Sequence, residues 1–312
     1  MTSLTELLNI ANDRAGPTAS IRYGTGKLAV GDLMEQSARL ATALGQCGIG
    51  PGDRVALWLP NTPAYLALLF ACARIGAIAV AVNTKFRSVE VADIVSRSGA
   101  KALALWPGFK GIAFQDILAD IPANALSAIE TVITYGEDGD DAGFRNPLPD
   151  AEHRAFDTLL SAAPMAEYCN DAGTGAAIFT TSGTTKAPKF VLHSQRSLAG
   201  HALNCADAFG WRTEGSIMLQ ALPLCGVFGL THALGALASG NPMIMLSSFD
   251  PAEAAGIMQT QKVTYLGGSD EMFDMLLNAV PDQPVPFPHF RLGSYAKFNA
   301  ALDDIVARVK ED

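Results

Sequence analysis

Basic charge is scarce in this 312-residue chain: 22 Lys and Arg stand against 31 Asp and Glu, a net charge of −9. A general nucleic-acid binder carries a basic face, so that class is disfavoured from the outset. Cysteine is sparse as well. The five residues (Cys47, Cys72, Cys169, Cys205 and Cys225) are odd in number and scattered, with no C-x-x-C pair and no His/Cys cluster. Neither a zinc site nor a disulfide framework follows from them, and buried free thiols in a reducing cytoplasm are expected. The N-terminus lacks a basic segment leading into a long apolar core, so no secretory signal is expected. Unbroken apolar runs of membrane length are missing too. Residues 64–82 come nearest, but Arg74 and Gly76 interrupt them, and they read as a buried helix followed by a buried strand. The 29 Gly and 17 Pro show no Gly-x-y period, which leaves turns as their use.

What is present is apolar. Hydrophobic residues make up 49% and charged residues 17%, too apolar for disorder and enough to bury a sizeable core. The length suits one large domain or two ordinary ones, at about 150 residues each. Residues 31–45 place Leu33, Met34, Ala38, Ala41 and Leu44 at helical spacing. Gly50, Pro51, Gly52 and Asp53 form a turn, residues 54–59 read as a strand, and Asn61 is expected to cap the next helix, with Pro63 in its first turn. A helix is expected over 88–98, and strands over 101–105, 130–134, 176–180, 217–222, 243–246 and 263–266. Strands separated by helices indicate an α/β fold with largely parallel, buried sheets. Residues 136–170 read as a surface excursion with a short helix near 153–162, and 282–289, with three prolines, as an extended loop. Residues 299–309 read as an amphipathic helix carrying Leu302, Ile305, Val306 and Val309. The acidic cluster of the excursion fails as a calcium loop: counted from Asp138, Ala142 and Pro149 fall at ligand positions five and twelve.

The segment 178–189 (Ile-Phe-Thr-Thr-Ser-Gly-Thr-Thr-Lys-Ala-Pro-Lys) is the most informative. An apolar strand runs straight into hydroxyl residues and Gly, and a Pro-Lys pair closes the segment. Such a loop suits polyphosphate: Gly183 lets the backbone approach, hydroxyls and amides donate to anionic oxygens, and Lys189 supplies charge. Composition alone favours a polar surface loop after a buried strand. A Walker A loop is excluded, because the sixth position from Gly183 is Pro188 and Phe190 follows Lys189 where a hydroxyl is needed. Gly173 and Gly175 lack the third Gly of a dinucleotide fingerprint. Cys225 has no paired His or acid in sequence and reads as a packing thiol. His201 and His232 lack metal-ligand spacing and read as polar-satisfied or exposed.

The order Thr181-Ser182-Gly183-Thr184-Thr185-x-x-Pro188-Lys189 resembles the phosphate loop of the adenylate-forming superfamily: acyl-CoA synthetases, adenylation domains and luciferases. Residues 53–61 and 76–83 are similar to the family's early core. Residues 222–230 (Leu-Pro-Leu-Cys-Gly-Val-Phe-Gly-Leu) resemble its next motif, a Pro-initiated turn that helps wall the acyl pocket, and Gly267 and Gly268 sit where that pocket continues. The likeness spans roughly Leu28 to the C-terminus. It implies two packed α/β subdomains, one of residues 61–206 with the phosphate loop, the other of 1–60 and 207–312 lining the acyl pocket. Thr181, Ser182, Gly183, Thr184, Thr185 and Lys189 would hold phosphates of ATP. Gly226, Phe228, Gly229, Gly267 and Gly268 would line the acyl pocket, Phe228 alternatively being core. Ser294, Tyr295 and Ala296 would lie at the adenine, with Ala296 the aligned member.

By the same resemblance the reaction joins a small-molecule carboxylic acid to AMP at the expense of Mg-ATP, and then to coenzyme A, as in fatty-acid metabolism. The chain departs from the pattern in places. Lys186 replaces a second Gly of the loop, Gln195 a frequent His, and Gly226 and Cys225 larger residues of the pocket motif. A Tyr-Gly-x-Thr-Glu segment, a later ribose-binding Asp, and the small C-terminal lid domain with its catalytic Lys are not in the sequence. No catalytic residue and no metal ligand is therefore assigned, and the chain is expected to be an N-terminal portion with little or no activity alone. Two other readings remain: a naturally short noncatalytic homologue that binds a ligand or partner, and an unrelated phosphate-binding α/β protein. No nucleic-acid partner and no transmembrane segment are expected.

Overall fold

The computed structural model describes residues 2–15, 19–137, 139–141, 143–169, 171–181, 188–280, 287–299, 301–302 and 304–311. The first elements are α1 (Leu4–Arg14), β1 (Ser20–Tyr23), β2 (Gly26–Ala29), α2 (Val30–Gln46), β3 (Arg54–Trp58), α3 (Pro63–Ile75), β4 (Ile78–Ala81), α4 (Ser88–Ser98) and β5 (Ala102–Leu105). Next come α5 (Phe114–Ala119), β6 (Thr131–Thr134), β7 (Glu152–Ala155), α6 (Phe156–Leu159), β8 (Gly175–Thr181), β9 (Lys189–Ser194) and α7 (Gln195–Ala208). The last are β10 (Met218–Gln220), α8 (Val227–Ser239), β11 (Met243–Met245), α9 (Pro251–Thr260), β12 (Tyr265–Ser269), α10 (Asp270–Asn278), β13 (Leu292–Ala296) and α11 (Ile305–Glu311).

The strands form two sheets, and the expected α/β class holds. The seven-stranded sheet runs β7-β6-β5-β3-β4-β8-β9 and is parallel except at β9. The six-stranded sheet runs β13-β12-β10-β11-β1-β2 and is parallel except at β2. Parallel strands need helical crossovers, and those helices bury both sheet faces. Strand β3 shows the result: Val55, Ala56, Leu57 and Trp58 are all buried, and Phe114 meets the Trp58 ring edge-on at 4.5 Å. β3 also sits at the centre of the seven-stranded sheet. Residues 54–58 therefore go with the unit expected over 61–206, not with residues 1–60.

The apolar run 64–82 becomes α3 and β4, and no helix among the described residues is long and apolar enough to cross a membrane. Both ends of α3 follow from its sequence. Thr62 accepts a hydrogen bond from the Tyr65 N–H at 3.1 Å, Pro63 takes the first position, where its missing N–H is harmless, and Gly76 ends the helix at φ +72°. Asn61 is thus not the cap. Two capping residue types stand side by side here, and distant partners claim the first of them. The Asn61 amide donates to Leu222 O and Leu246 O, both at 3.0 Å, and its Oδ1 accepts from the Leu224 N–H at 2.7 Å. These bonds tie the end of β3 to the loops after β10 and β11, so the C-terminal edges of both sheets meet along one seam.

Other expectations are corrected. The helix expected near 153–162 is strand β7 followed by the single turn α6. Glu152, His153 and Arg154 are exposed, so no apolar alternation marks the strand; its ladder with β6 makes it. The strand expected over 263–266 lies at 265–269, because β10 and β13 pair with it on either side. Residues 189–194 and 292–296, to which the sequence pattern assigns no element, are strands β9 and β13. The last helix starts at Ile305 rather than at 299. In the proline-rich 282–289 segment, residues 282–286 fall outside the described residues.

Candidate functional site

Because β3, β4 and β8 are parallel, Thr181 at the end of β8 lies on the same sheet edge as Asn61. Because β10, β12 and β13 are parallel, Leu222 and Ala296 lie on the facing edge of the other sheet. The crevice beyond the carboxyl ends of parallel strands is where open α/β sheets bind ligands. The sequence-selected residues distribute along this seam.

On one side, Thr181 pairs with Lys189 across the antiparallel β8–β9 ladder. The two pair on either side of Ser182, Gly183, Thr184, Thr185 and Lys186, which lie outside the described residues. Lys189 is exposed, and a hydroxyl beside an ammonium is a donor set that fits anionic oxygen. Arg97 of α4 grips the returning limb. Its guanidinium donates to Pro188 O at 3.0 Å and to Asp93 at 2.7 Å, and lies 4.3 Å from the Phe190 ring centroid. Sequence reasoning missed Arg97; the only trace of it was the i,i+4 spacing from Asp93. Gln195, noted as a departure from a frequent His, is fully buried. It donates to Ala73 O and accepts from the Leu4 N–H, holding α7 against α3 and α1.

On the other side, Pro223 turns the chain from β10 into α8. The Gly226 N–H donates to Pro223 O at 3.1 Å, and Gly226 is the N-cap of the helix. Gln220 braces the turn from below, donating to Leu222 O at 2.7 Å and Gly229 O at 3.1 Å. Its buried Oε1 has no partner among the described residues. Gly229 packs flat on the Pro223 carbonyl, whereas a Cβ on Gly226 would meet only Pro223 O, at 3.6 Å. Gly226 is therefore small without steric need, and the turn is open there. Burial pushes the neighbouring Cys225 thiol up to about 11, which makes it a packing group and no nucleophile at neutral pH.

His232 joins the remaining residues. It is 3% exposed. Its Nδ1 lies 2.8 Å from Phe228 O and its Nε2 2.5 Å from Ser294 Oγ. The Phe228 ring meets it edge-on at 4.6 Å, and Trp211 lies 5.2 Å away. Gly267 lets β12 approach the same ring: a Cβ there would sit 2.7 Å from His232 Nε2. Gly267 pairs with Ser294, Gly268 with Tyr295 and Ser269 with Ala296. The residues expected at an adenine loop thus stand in a strand, and Ser294 is turned into the α8–β12 wall with Phe228 and Gly267. Tyr295, one place along, is 43% exposed.

Burial pushes the His232 pKa below the usual histidine value, the bond to Phe228 O pulls it up, and His201 on α7 pushes it down again. The unfolded chain takes up a proton near pH 6.5, while the folded imidazole stays neutral to lower pH. Stability is therefore whole above about pH 6.5 and declines as the pH falls from there through the folded value. Urea midpoints should drop on acidification from pH 7 to pH 5, and His232→Gln should shrink that drop. An equal drop in both proteins would rule His232 out as a source.

A separate crevice of about 540 Å³ lies further along the seam, between the β1–β2 hairpin and the loops after β5 and β6, and includes Tyr23, Lys27, Trp106, Lys110 and Glu137. It contains none of the sequence-selected residues. Among the described residues, no three His, Cys, Asp or Glu are grouped to hold a metal ion.

Residues 9–304 match the family described as AMP-binding enzyme. A feruloyl-CoA synthase of Amycolatopsis sp is 28% identical over 267 residues, 84% of this chain and 48% of its own length. The long-chain-fatty-acid–CoA ligase FadD13 of Mycobacterium tuberculosis (strain ATCC 25618 / H37Rv) is 28% identical over 254 residues, 81% of this chain and 46% of its own. ATP-bound MatB from Rhodopseudomonas palustris superposes with a TM-score of 0.77 at 26% identity, covering 94% of this chain and 55% of that one. The chain spans about half the length of the curated relatives it matches.

Proposed function

The chain belongs to the AMP-binding enzyme family, and from that premise we propose that it is the N-terminal portion of an ATP-dependent acid–thiol ligase. The reaction has two steps. A carboxylate oxygen attacks the α-phosphorus of ATP, the bond to pyrophosphate breaks, and an acyl-adenylate forms. The thiol of coenzyme A then attacks the acyl carbon, and AMP leaves. ATP brings the activated phosphorus; this chain's residues supply binding and placement.

The observation that supports the reading is the Thr181–Lys189 pair at the carboxyl edge of one sheet, the same edge from which Asn61 bonds to the loop that leads into α8 on the other. Thr181 and Lys189, with Ser182, Gly183, Thr184 and Thr185 between them in sequence, hold the β- and γ-phosphates, where negative charge must be matched by placed donors. Gly226, Phe228, Gly229, Gly267 and Gly268 wall the acyl group, and Ser294 to Ala296 border the nucleoside, with the Ser294 hydroxyl turned to the acyl wall. The opening left by Gly226 favours an acid whose bulk lies near that turn. Mg²⁺ and coenzyme A are family cofactors for which the described residues offer no assigned ligand. On its own the chain binds nucleotide weakly and turns over little or not at all.

Calorimetric titration with ATP, together with carboxylate-dependent ATP–pyrophosphate exchange, tests this. Lys189→Ala should weaken ATP binding by about tenfold or more, the weight of a charge-assisted hydrogen bond. Unchanged affinity would falsify the role given to Lys189, and robust exchange by the chain alone would refute its inactivity.

A further inference from the structure

The proposed reaction does not use His232, whose ring meets α8, β12 and β13 together. His232 is on α8, its hydrogen-bond partners are on α8 and β13, and its ring edge fills the space opposite Gly267 on β12. We propose that His232 is the positioning residue of the acyl pocket, held as the neutral Nδ1–H tautomer, and that it fixes Ser294 as a hydrogen-bond acceptor toward any ligand. The inference rests on the reading of Phe228, Gly229, Gly267 and Gly268 as the acyl wall.

The tautomer follows from the partners. Phe228 O can only accept, so Nδ1 must carry the proton that bridges the 2.8 Å between them. A neutral ring then has a bare Nε2, and Ser294 must donate its only hydroxyl proton across the second bond. Burial and the neighbouring His201 both disfavour a second proton on the ring. Ser294 is left with lone pairs alone. A ligand group beside it is met as a donor or as apolar surface, and a carboxylate or phosphate oxygen is repelled. The geometry also explains why residue 267 has no side chain: a Cβ there would lie 2.7 Å from both Cδ2 and Nε2 of the ring. The imidazole replaces a β12 side chain in the wall, and it aligns the Phe228 ring edge-on at 4.6 Å as it does so. Removing it frees Phe228 and Ser294 together.

Two measurements on the 312-residue chain decide the matter. The first is ¹⁵N-detected imidazole NMR near pH 7. The expected spectrum shows a protonated Nδ1 and an unprotonated Nε2 for His232, with the Nε2 resonance shifting in Ser294→Ala. An Nε2–H tautomer, an imidazolium, or no response to Ser294→Ala overturns the proposal. The second compares octanoyl-sulfamoyl-adenosine with sulfamoyl-adenosine, which has no acyl chain. His232→Ala should weaken the acyl-bearing probe by about tenfold, the weight of one buried hydrogen bond, and leave the other within about twofold. His232→Asn, which keeps a donor for Phe228 O, should recover part of the loss. Equal losses for both probes mark a general folding effect and overturn the positioning role. If the wild-type chain binds neither probe, the ligase reading fails at this chain, and the tautomer measurement still decides the state of His232.

Discussion

Gly229→Ala is expected to destabilise the chain by about 3 kcal/mol or more, at the upper end of what overpacking costs. The sign is informative, because Gly→Ala inside a helix ordinarily stabilises by about 1 kcal/mol. Gly229 lies in the first turn of α8, and a Cβ there would overlap the Pro223 carbonyl oxygen, with Pro223 C 2.7 Å and Leu222 O 2.9 Å away. All three atoms are backbone, and that backbone is held from several directions. Pro223 has a fixed φ, its oxygen receives the Gly226 N–H, and Leu222 O receives amide protons from both Gln220 and Asn61. No flexible side chain can step aside. Gly226→Ala, three residues earlier, is the control: its φ is −110° and the nearest atom is 3.6 Å away, so it should stay within about 1 kcal/mol of wild type. Urea denaturation of the two variants measures the contrast. Similar midpoints for both would show that the Pro223 turn yields.

Asn61→Leu should produce the other large loss, about 3 kcal/mol or more. Leucine has nearly the same shape, so the change isolates the polar atoms. Asn61 is 3% exposed and makes three bonds across the seam. Its removal leaves Leu246 O and the Leu224 N–H without this partner, while Leu222 O keeps only the Gln220 amide, and an unmet buried group costs about 1–3 kcal/mol. The three share one loop system, so the losses are not additive. A urea midpoint equal to wild type would show that water enters the seam and satisfies these groups.

Asn61 also shows where sequence reading stops. Periodicity located α2, α3 and α4 and the buried strands β3 to β6, because helices and doubly covered parallel strands write their burial into local patterns. The capping residue was misplaced by one because the atoms that claim Asn61 lie more than 160 residues away. Edge strands β7, β9 and β13 went unread for a related reason. Their side chains are polar or half exposed, and backbone pairing with a neighbour defines them. At the site, the phosphate-loop order and the Pro223 turn were legible as motifs. The roles of His232 and Arg97 were not, since each joins residues from separate elements. His232 gave no usable signal beyond being a lone His on an apolar helix, a pattern that satisfied core histidines share.

The pairing of β1 with β11 has a consequence for how the chain acquires its structure during synthesis. Ile21 lies beside Met243 in the parallel ladder, so β1 must wait for more than two hundred further residues before it has a neighbour other than β2. The seven-stranded sheet is built from the continuous stretch 54–194 and can close long before that. Contacts so far apart in sequence form slowly, and a chain that folds in this order leaves the β1 edge opposite β2 unpaired until β11 is made. Of the N-terminal elements, α1 can pack early on α2 and α3, whereas β1 is completed only when β11 emerges.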